Sequence, residues 1–265
     1  MDLELAGKRA IVTGGSRGIG LAVAHRLAAE GSAVALVARD PEALEHAAAA
    51  VREHGNRVVV APADTTDDVA VRAMVADVVG ALGGVDVLVN AAARPASSAP
   101  VPPLAQLEDD ALRVEIETKV LGYLRCARAV APAMVAQGWG RIINISGLNA
   151  RMSGSLVGSV RNVAVAAMTK NLADELGPSG VNVTVVHPGT TVTERTPGML
   201  AARAERDGIP AEEVARRLAG ATSIGRLVTG EEVADVVAFL ASPRSVAITG
   251  DAIAVGGGSR GAIYY

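Results

Sequence analysis

The sequence has few aromatic residues and almost no cysteine. Its 265 residues include one Trp, one Phe, three Tyr and one Cys. A single cysteine excludes an internal disulfide framework, and we interpret Cys126, which falls in an apolar predicted helix, as a buried structural thiol. Because aromatic side chains are scarce, Ala and Val must fill the interior, which favours close packing of helices on a sheet.

Charge and hydropathy exclude further classes. The net charge of −3 lacks the basic excess of a nucleic-acid-binding surface. No run of eighteen apolar residues exists, so we expect no membrane span. The beginning, MDLELAGKRA, has early acids and no apolar segment, unlike a signal peptide, so we expect a cytoplasmic protein. We expect no metal site, because the histidines are scattered and no Cys/His cluster has ligand spacing.

Short β-branched runs alternate with long Ala-rich periodic segments. This alternation is typical of parallel strands joined by crossover helices, and the near-continuous apolar runs indicate strands covered on both faces. The predicted strands are 8–13, 33–38, 57–61, 85–89, 141–145, 181–186 and 252–255. We therefore predict one α/β domain over residues 1–265, a doubly wound parallel sheet of about seven strands with helices on both faces.

Helix signals fill the intervals between these strands. Asp40 is a predicted N-cap for a helix that starts at Pro41 and stops at Gly55. Further helices are predicted over 66–82, 105–136, 159–176 and 231–241. The Pro- and Ser-rich segment 94–104 and the polar insertion 194–225 are predicted substrate loops, because ligands bind outside the carboxyl ends of the strands in such sheets.

A glycine-rich turn, Thr13–Gly20, joins the first strand to the first helix. Its glycines allow the backbone to approach a pyrophosphate, and the helix N-terminus favours the negative charge. The turn therefore predicts a dinucleotide site. The residues that we assign to the cofactor here are Gly14, Ser16, Arg17, Gly18, Ile19 and Gly20.

Together with several later segments, this turn resembles the classical short-chain dehydrogenase/reductase family over nearly the whole chain. Segments 224–227, 231–234 and 248–250 match its C-terminal third. The resemblance implies a Rossmann-type fold and a homotetramer, with a homodimer as the alternative. It also adds cofactor-binding residues: Asp64 at the adenine, Asn90 at the start of Asn-Ala-Ala-Ala, Pro188 and Gly189 in the Pro-Gly turn, and Thr193 at the nicotinamide carboxamide.

The residues after the second strand bear on the type of cofactor. An NAD site usually has an acid there to accept from the ribose 2′-hydroxyl, but this strand is followed by Arg39. With Arg17, it could hold a 2′-phosphate by charge-assisted hydrogen bonds. We predict NADP(H) in preference to NAD(H). The alternative is that both are solvated surface arginines, and Asp40 is the acid that would favour NAD(H).

The family's catalytic Asn, Ser, Tyr and Lys fall on other residue types here. Counting from neighbouring matched segments places these positions on Lys119, Gly147, Gly158 and Asn162. The resemblance thus implies an atypical member that lacks the usual Ser-Tyr-Lys residues. Ser146 could replace the serine, because it precedes that position by one residue; otherwise its hydroxyl bonds to local backbone.

Two interpretations of this site remain open. In the first, Lys119 and Asn162 are exchanged, which keeps one ammonium and one amide near the nicotinamide ribose; Lys119, Ser146 and Asn162 are then the catalytic residues. In the second, Lys119 is a solvated helix lysine and the protein has kept its fold, and with it the cofactor, but lost carbonyl chemistry.

The missing tyrosine has no evident replacement. Tyr123 shares a helix face with Lys119, and His187 could titrate near neutrality, but a packing role is the alternative for each. Tyr264 and Tyr265 could act on a neighbouring subunit. Two arginines in the expected cleft loops could attract a substrate carboxylate or phosphate or could simply be solvated, Arg94 and Arg151.

These observations favour an atypical NADP(H)-dependent oxidoreductase acting on a small carbonyl or alcohol-type molecule, with an imine or activated alkene as further acceptors. The alternatives are a non-redox dehydratase, isomerase or cyclase on the same fold, and a nucleotide-binding subunit without chemistry. Hydride transfer to a substrate would distinguish the first function from the other two.

Overall fold

A seven-stranded parallel sheet forms the centre of the protein, which we describe from a computed structural model covering residues 1–94 and 101–260. Its strands are β1 Arg9–Thr13, β2 Ala33–Ala38, β3 Val58–Pro62, β4 Val87–Asn90, β5 Gly140–Ile145, β6 Val181–Pro188 and β9 Ala252–Val255; the short strands β7 Thr191–Val192 and β8 Val228–Thr229 lie outside this sheet. The strand order is β3-β2-β1-β4-β5-β6-β9, and every pairing in it is parallel. The predicted α/β Rossmann-type fold is confirmed.

Helices cover both faces of the sheet. They are α1 Gly18–Ala29, α2 Pro41–Arg52, α3 Asp68–Leu82, α4 Asp109–Glu115, α5 Gly122–Ala136, α6 Leu156–Leu176, α7 Thr196–Asp207, α8 Ala211–Gly220 and α9 Gly230–Ala241. Helices α1, α2 and α9 pack on one face, and α3, α5 and α6 on the other. Alternate residues of each buried strand point to opposite faces, so Val12 joins the first layer and Ile11 the second. Aliphatic side chains, mainly Val, Ala, Leu and Ile, fill both layers.

Helix α2 begins at the cap and proline that the sequence predicts. The Asp40 carboxylate accepts from the backbone N–H groups of Glu42 and Ala43, and Pro41 is the first helical residue. Cys126 is fully buried in α5, and this burial raises the pKa of its thiol to about 12. The interpretation of this residue as a structural thiol is confirmed.

Two predicted segments differ from the structure. The single helix expected over 105–136 is divided into α4, a π-helical segment Ile116–Leu121 and α5. The insertion expected over 194–225 contains the two helices α7 and α8. These helices bury few side chains, so they need few apolar residues, and their sequences are as polar as those of a loop. A small parallel ribbon of β7 Thr191–Val192 and β8 Val228–Thr229 holds this region at its base.

Part of the predicted loop 94–104 and the C-terminal pair Tyr264 and Tyr265 lie outside the described residues. Within the described residues, no helix has the length and apolar character needed to cross a membrane. In the same part of the chain, no group of three or more His, Cys, Asp or Glu side chains is arranged to hold a metal ion.

Candidate cofactor and active site

The candidate cofactor site lies where the strand order reverses, between β1 and β4. Thr13, at the end of β1, accepts through Oγ1 from the N–H groups of Ala91 and Ala92 at 3.1 and 3.2 Å. Gly14 follows with a φ of +69°, and a Cβ there would lie 2.8 Å from the Ala91 carbonyl carbon. The two strand-end loops therefore pack backbone to backbone, which only glycine permits at this position.

The N-terminus of α1 provides donors for an anion. Arg17 makes no side-chain cap, and the first turn of α1 contains no acid. Of the described residues, only Thr193 and Glu194 come within 4 Å of where a Cβ of Gly18 would lie, each at 3.9 Å. Such a glycine-lined helix start fits a pyrophosphate group.

Arg17 and Arg39 are both exposed beside this turn. In the part of the chain that the structure describes, neither guanidinium forms a hydrogen bond or an ion pair. Asp40, the acid that would favour NAD(H), is engaged in capping α2. Hydrogen bonds from Thr66, aided by the charge of Arg39, lower the pKa of Asp64.

The side chain of Asn90 lies in the interior. Its Nδ2 donates to Asn144 Oδ1 at 2.9 Å and to the Tyr123 carbonyl at 3.4 Å, and Asn144 in turn donates to Thr169 Oγ1. The amide of Asn90 therefore ties β4 to β5 and to the helix beneath them. These bonds use the amide nitrogen of Asn90 within the protein, and the cofactor contact of Asn90 stays a prediction.

Lys119 is a buried lysine in the π-helical segment, with 4% of its surface exposed. Its Nζ donates to the Ser146 carbonyl at 2.9 Å and to Asn162 Oδ1 at 3.3 Å. The two side chains of the supposed exchange are thus in contact at the carboxyl end of β5. Burial, together with the charge of Arg161, lowers the pKa of Lys119 to about 7.

An ion pair between Arg161 and Glu115 lies beside this lysine. Both side chains are 16% exposed, and Arg161 Nε also donates to Asn162 Oδ1 at 3.3 Å. The Asn162 oxygen therefore accepts from two cations, Lys119 and Arg161. We did not predict this pair, because 46 residues separate its members and no local pattern connects them.

The hydroxyl of Ser146 donates to the Asn162 carbonyl at 3.3 Å, so it bonds to helix backbone in the structure. Beside it, Gly147 makes room for Asn162: a Cβ there would lie 2.9 Å from Asn162 Nδ2. Gly158 is equally confined, because its Cβ would lie 2.8 Å from Asn149 Nδ2 and 2.9 Å from Ser155 Oγ. A larger side chain at Gly158 would thus meet these two polar side chains.

The other candidate proton donors are held in packing roles. The Tyr123 hydroxyl donates to the Ile145 carbonyl at 2.9 Å, and burial raises the pKa of its phenol. His187 Nδ1 accepts from the Gly147 N–H at 3.4 Å. Burial, with the charges of Arg151 and Lys119, lowers the pKa of His187 to about 4. Of the two alternatives for His187, the structure therefore favours the packing role.

The remaining predicted residues lie along the edge of the cleft. β6 ends at Pro188, and Gly189 donates its N–H to the Val255 carbonyl at 3.0 Å. Thr193 Oγ1 accepts from the Arg195 N–H at 3.4 Å. The guanidinium of Arg151 donates to the Ala252 carbonyl at 2.8 Å, so it is not a purely solvated arginine.

Sequence comparison identifies relatives along most of the chain. The short chain dehydrogenase family profile matches residues 8–203. Short-chain reductase protein NovJ of Streptomyces niveus is 38% identical over 94% of this chain and 92% of its own length. A putative ketoacyl reductase of Streptomyces coelicolor is 34% identical over 94% of this chain and 95% of its own length.

Solved structures agree with these matches. L-sorbose reductase from Gluconobacter frateurii, complexed with NADPH and L-sorbose, superimposes with a TM-score of 0.91 at 30% identity, covering 99% of this chain and 100% of that one. Actinorhodin polyketide ketoreductase with NADPH gives a TM-score of 0.87 at 33% identity, over 94% of this chain and 96% of that one. From its fold, its glycine turn and these relatives, the chain belongs to the short-chain dehydrogenase/reductase family of oxidoreductases.

Proposed function

We propose that this protein is an NADP(H)-dependent oxidoreductase that transfers hydride to or from a small carbonyl or alcohol-type substrate through a non-standard active site. The observation that carries the proposal is the contact of 3.3 Å between Lys119 Nζ and Asn162 Oδ1 at the carboxyl end of β5. It favours an exchange of lysine and amide over the loss of both functions.

The residues around the glycine turn fit the cofactor. The N-terminus of α1 would hold the diphosphate, Asp64 the adenine, and Arg17 with Arg39 a 2′-phosphate. Bound NADP(H) supplies or accepts the hydride. The relatives crystallised with NADPH support this choice, although a xylitol dehydrogenase structure with a TM-score of 0.87 holds NAD⁺. The preference for NADP(H) therefore depends on the two arginines.

Lys119 is the proposed proton-carrying residue. Near pH 7 its pKa of about 7 leaves it partly protonated, which suits a group that exchanges protons. His187, with a pKa near 4, is neutral there, and the phenol of Tyr123 is tied to a core carbonyl. Lys119 would also hold a ribose hydroxyl, with Asn162 orienting its ammonium. Ser146 would join this group if its hydroxyl rotated away from α6.

A specific observation favours the second candidate, a non-redox enzyme or a nucleotide-binding subunit without chemistry. The side chains of Asn149 and Ser155 lie where a larger side chain at Gly158 would begin, so a tyrosine at this position would require both of them to move. For either candidate we propose a cytoplasmic homotetramer, with a homodimer as the alternative, acting without nucleic acid, membrane or metal.

Calorimetric titration of the purified protein with NADPH and with NADH tests the proposal. We expect NADPH to bind with micromolar affinity and NADH much more weakly. Lys119→Met should greatly weaken NADPH binding, whereas Lys170→Met, at an exposed lysine of α6, should leave it unchanged. Unchanged affinity in Lys119→Met would exclude the exchange. Binding of neither nucleotide by the wild type would exclude the oxidoreductase.

Once NADPH binding is established, hydride transfer separates the candidates. Oxidation of NADPH in equal amount to product, across a panel of carbonyl compounds, would support the oxidoreductase. Turnover with no change in NADPH would support the non-redox enzyme. Binding without any turnover would favour the subunit without chemistry.

A further inference from the structure

A carboxylate from a distant part of the chain caps the helix that begins the candidate diphosphate site. Glu194 Oε2 accepts from the backbone N–H of Gly18, the first residue of α1, at 3.2 Å. The two residues are 176 positions apart in the sequence. Thr193 also lies against Gly18, so the pair Thr193–Glu194 crosses the start of α1.

The physical basis of this contact is the same as that of anion binding. The first N–H groups of a helix have no partner within the helix, and the helix dipole favours negative charge there. The side chain of Arg17 does not cap α1, and the first turn of the helix contains no acid that could accept from these donors. Glu194 therefore takes a donor that a dinucleotide diphosphate would use, and two anions at one helix terminus repel each other.

The segment that carries Glu194 is weakly anchored. It lies between β7 and α7, and the side chains buried in α7 and α8 are Thr196 and Val214. Local bonds hold the turn: Thr193 donates its N–H to Thr196 Oγ1 at 2.9 Å. Because this region buries so little surface, its displacement would cost little.

We propose that Glu194 is an internal competitor for the diphosphate site, which NADP(H) must displace on binding, moving the Thr193–Glu194 segment and α7 with it. The proposal rests on the proposed dinucleotide function. The predicted substrate loop, 194–225, starts at this carboxylate. Cofactor binding would thus rearrange the substrate loop before the substrate enters.

Titration with NADPH and limited trypsin cleavage together test the idea. The variants are Glu194→Gln, which removes the charge, and Glu194→Ala, which removes the acceptor as well. The control is Glu212→Gln, at an exposed acid of α8. Both Glu194 variants should bind NADPH about fivefold more tightly than the wild type, a gain typical of a carboxylate at a helix terminus, and the control should match the wild type.

Cleavage at the exposed Arg195 measures the segment directly. In the absence of nucleotide, Glu194→Ala should be cleaved faster than the wild type, and NADPH should accelerate cleavage of the wild type towards the rate of the variant. Wild-type NADPH affinity and an unchanged cleavage rate in both Glu194 variants would overturn this inference and leave the proposed function intact. A failure of every variant and of the wild type to bind NADPH would overturn both.

Discussion

Replacement of Lys119 by methionine should change how the stability of the protein depends on pH. Burial and the charge of Arg161 lower the pKa of Lys119 from 10.5 to about 7 in the folded chain, and unfolding restores the ordinary value. Between pH 7 and pH 10.5 the unfolded chain therefore binds a proton that the folded chain has released. The free energy of unfolding of the wild type should therefore rise with pH across this window, and the cost of the buried ammonium is fully present below pH 7.

The magnitude follows from the width of the window. A lowering of the pKa from 10.5 to about 7 corresponds to roughly 5 kcal/mol of destabilisation at low pH. About 3 kcal/mol of this cost should disappear between pH 6 and pH 9.5. Methionine has no charge to desolvate, but it leaves the Ser146 carbonyl without its donor, at about 1–3 kcal/mol. That penalty does not depend on pH. The change in the free energy of unfolding between pH 6 and pH 9.5 therefore measures only the effect of protonating Lys119.

Denaturant unfolding at the two pH values and one protein concentration measures this difference. Relative to Lys119→Met, the wild type should gain about 3 kcal/mol in free energy of unfolding from pH 6 to pH 9.5. Lys170→Met is the matched control, because Lys170 is exposed, and its pH dependence should parallel that of the wild type. If Lys119→Met also parallels the wild type, Lys119 keeps its ordinary pKa and the proposed proton carrier loses its basis.

Three further predictions follow from other parts of the structure. Gly158→Tyr should lower stability by about 1–3 kcal/mol in thermal denaturation, because its Cβ would lie 2.8 Å from Asn149 Nδ2, and Asn149→Ala should recover part of the loss. The double variant Arg17→Ala, Arg39→Ala should bind NADPH about 10- to 100-fold more weakly in calorimetry and bind NADH as before; an equal loss for both nucleotides would contradict a 2′-phosphate site. Cys126 should not react with a thiol reagent until the chain unfolds, because burial raises its pKa to about 12.

The sheet was predictable because its signals are local. Most strands are short runs rich in apolar and β-branched residues, such as β2, and α2 carries its cap and its proline in sequence. The ribbon of β7 and β8 was missed because each strand has only two residues, too few to show the alternation of apolar and polar residues that indicates a strand. Helices α7 and α8 were missed because a polar segment with Gly and Pro resembles a loop when its helices bury little. The π-helical segment, which contains the buried Lys119, was missed because helix propensities do not distinguish a π-helical turn from an α-helical one.

The candidate site was only partly predictable. Counting along a resemblance selected Lys119 and Asn162, but their contact joins residues 43 positions apart and depends on the fold. Asn149, the ion pair of Arg161, and the capping of α1 by Glu194 have no pattern in sequence, because each is created when distant elements meet. Sequence reasoning therefore selected two residues that the fold brings into contact, but not the charged groups around them.

The residues at the candidate site depend on one another, which supports a repacked site over a decayed one. A side chain at Gly147 would meet the amide of Asn162, and a side chain at Gly158 would meet Asn149. Asn162 in turn accepts from Lys119. Random loss of function would relax selection on a buried lysine that costs several kcal/mol, and an apolar residue of similar volume would then be favoured. The presence of a buried lysine at that cost is most simply explained if its proton or its charge is used.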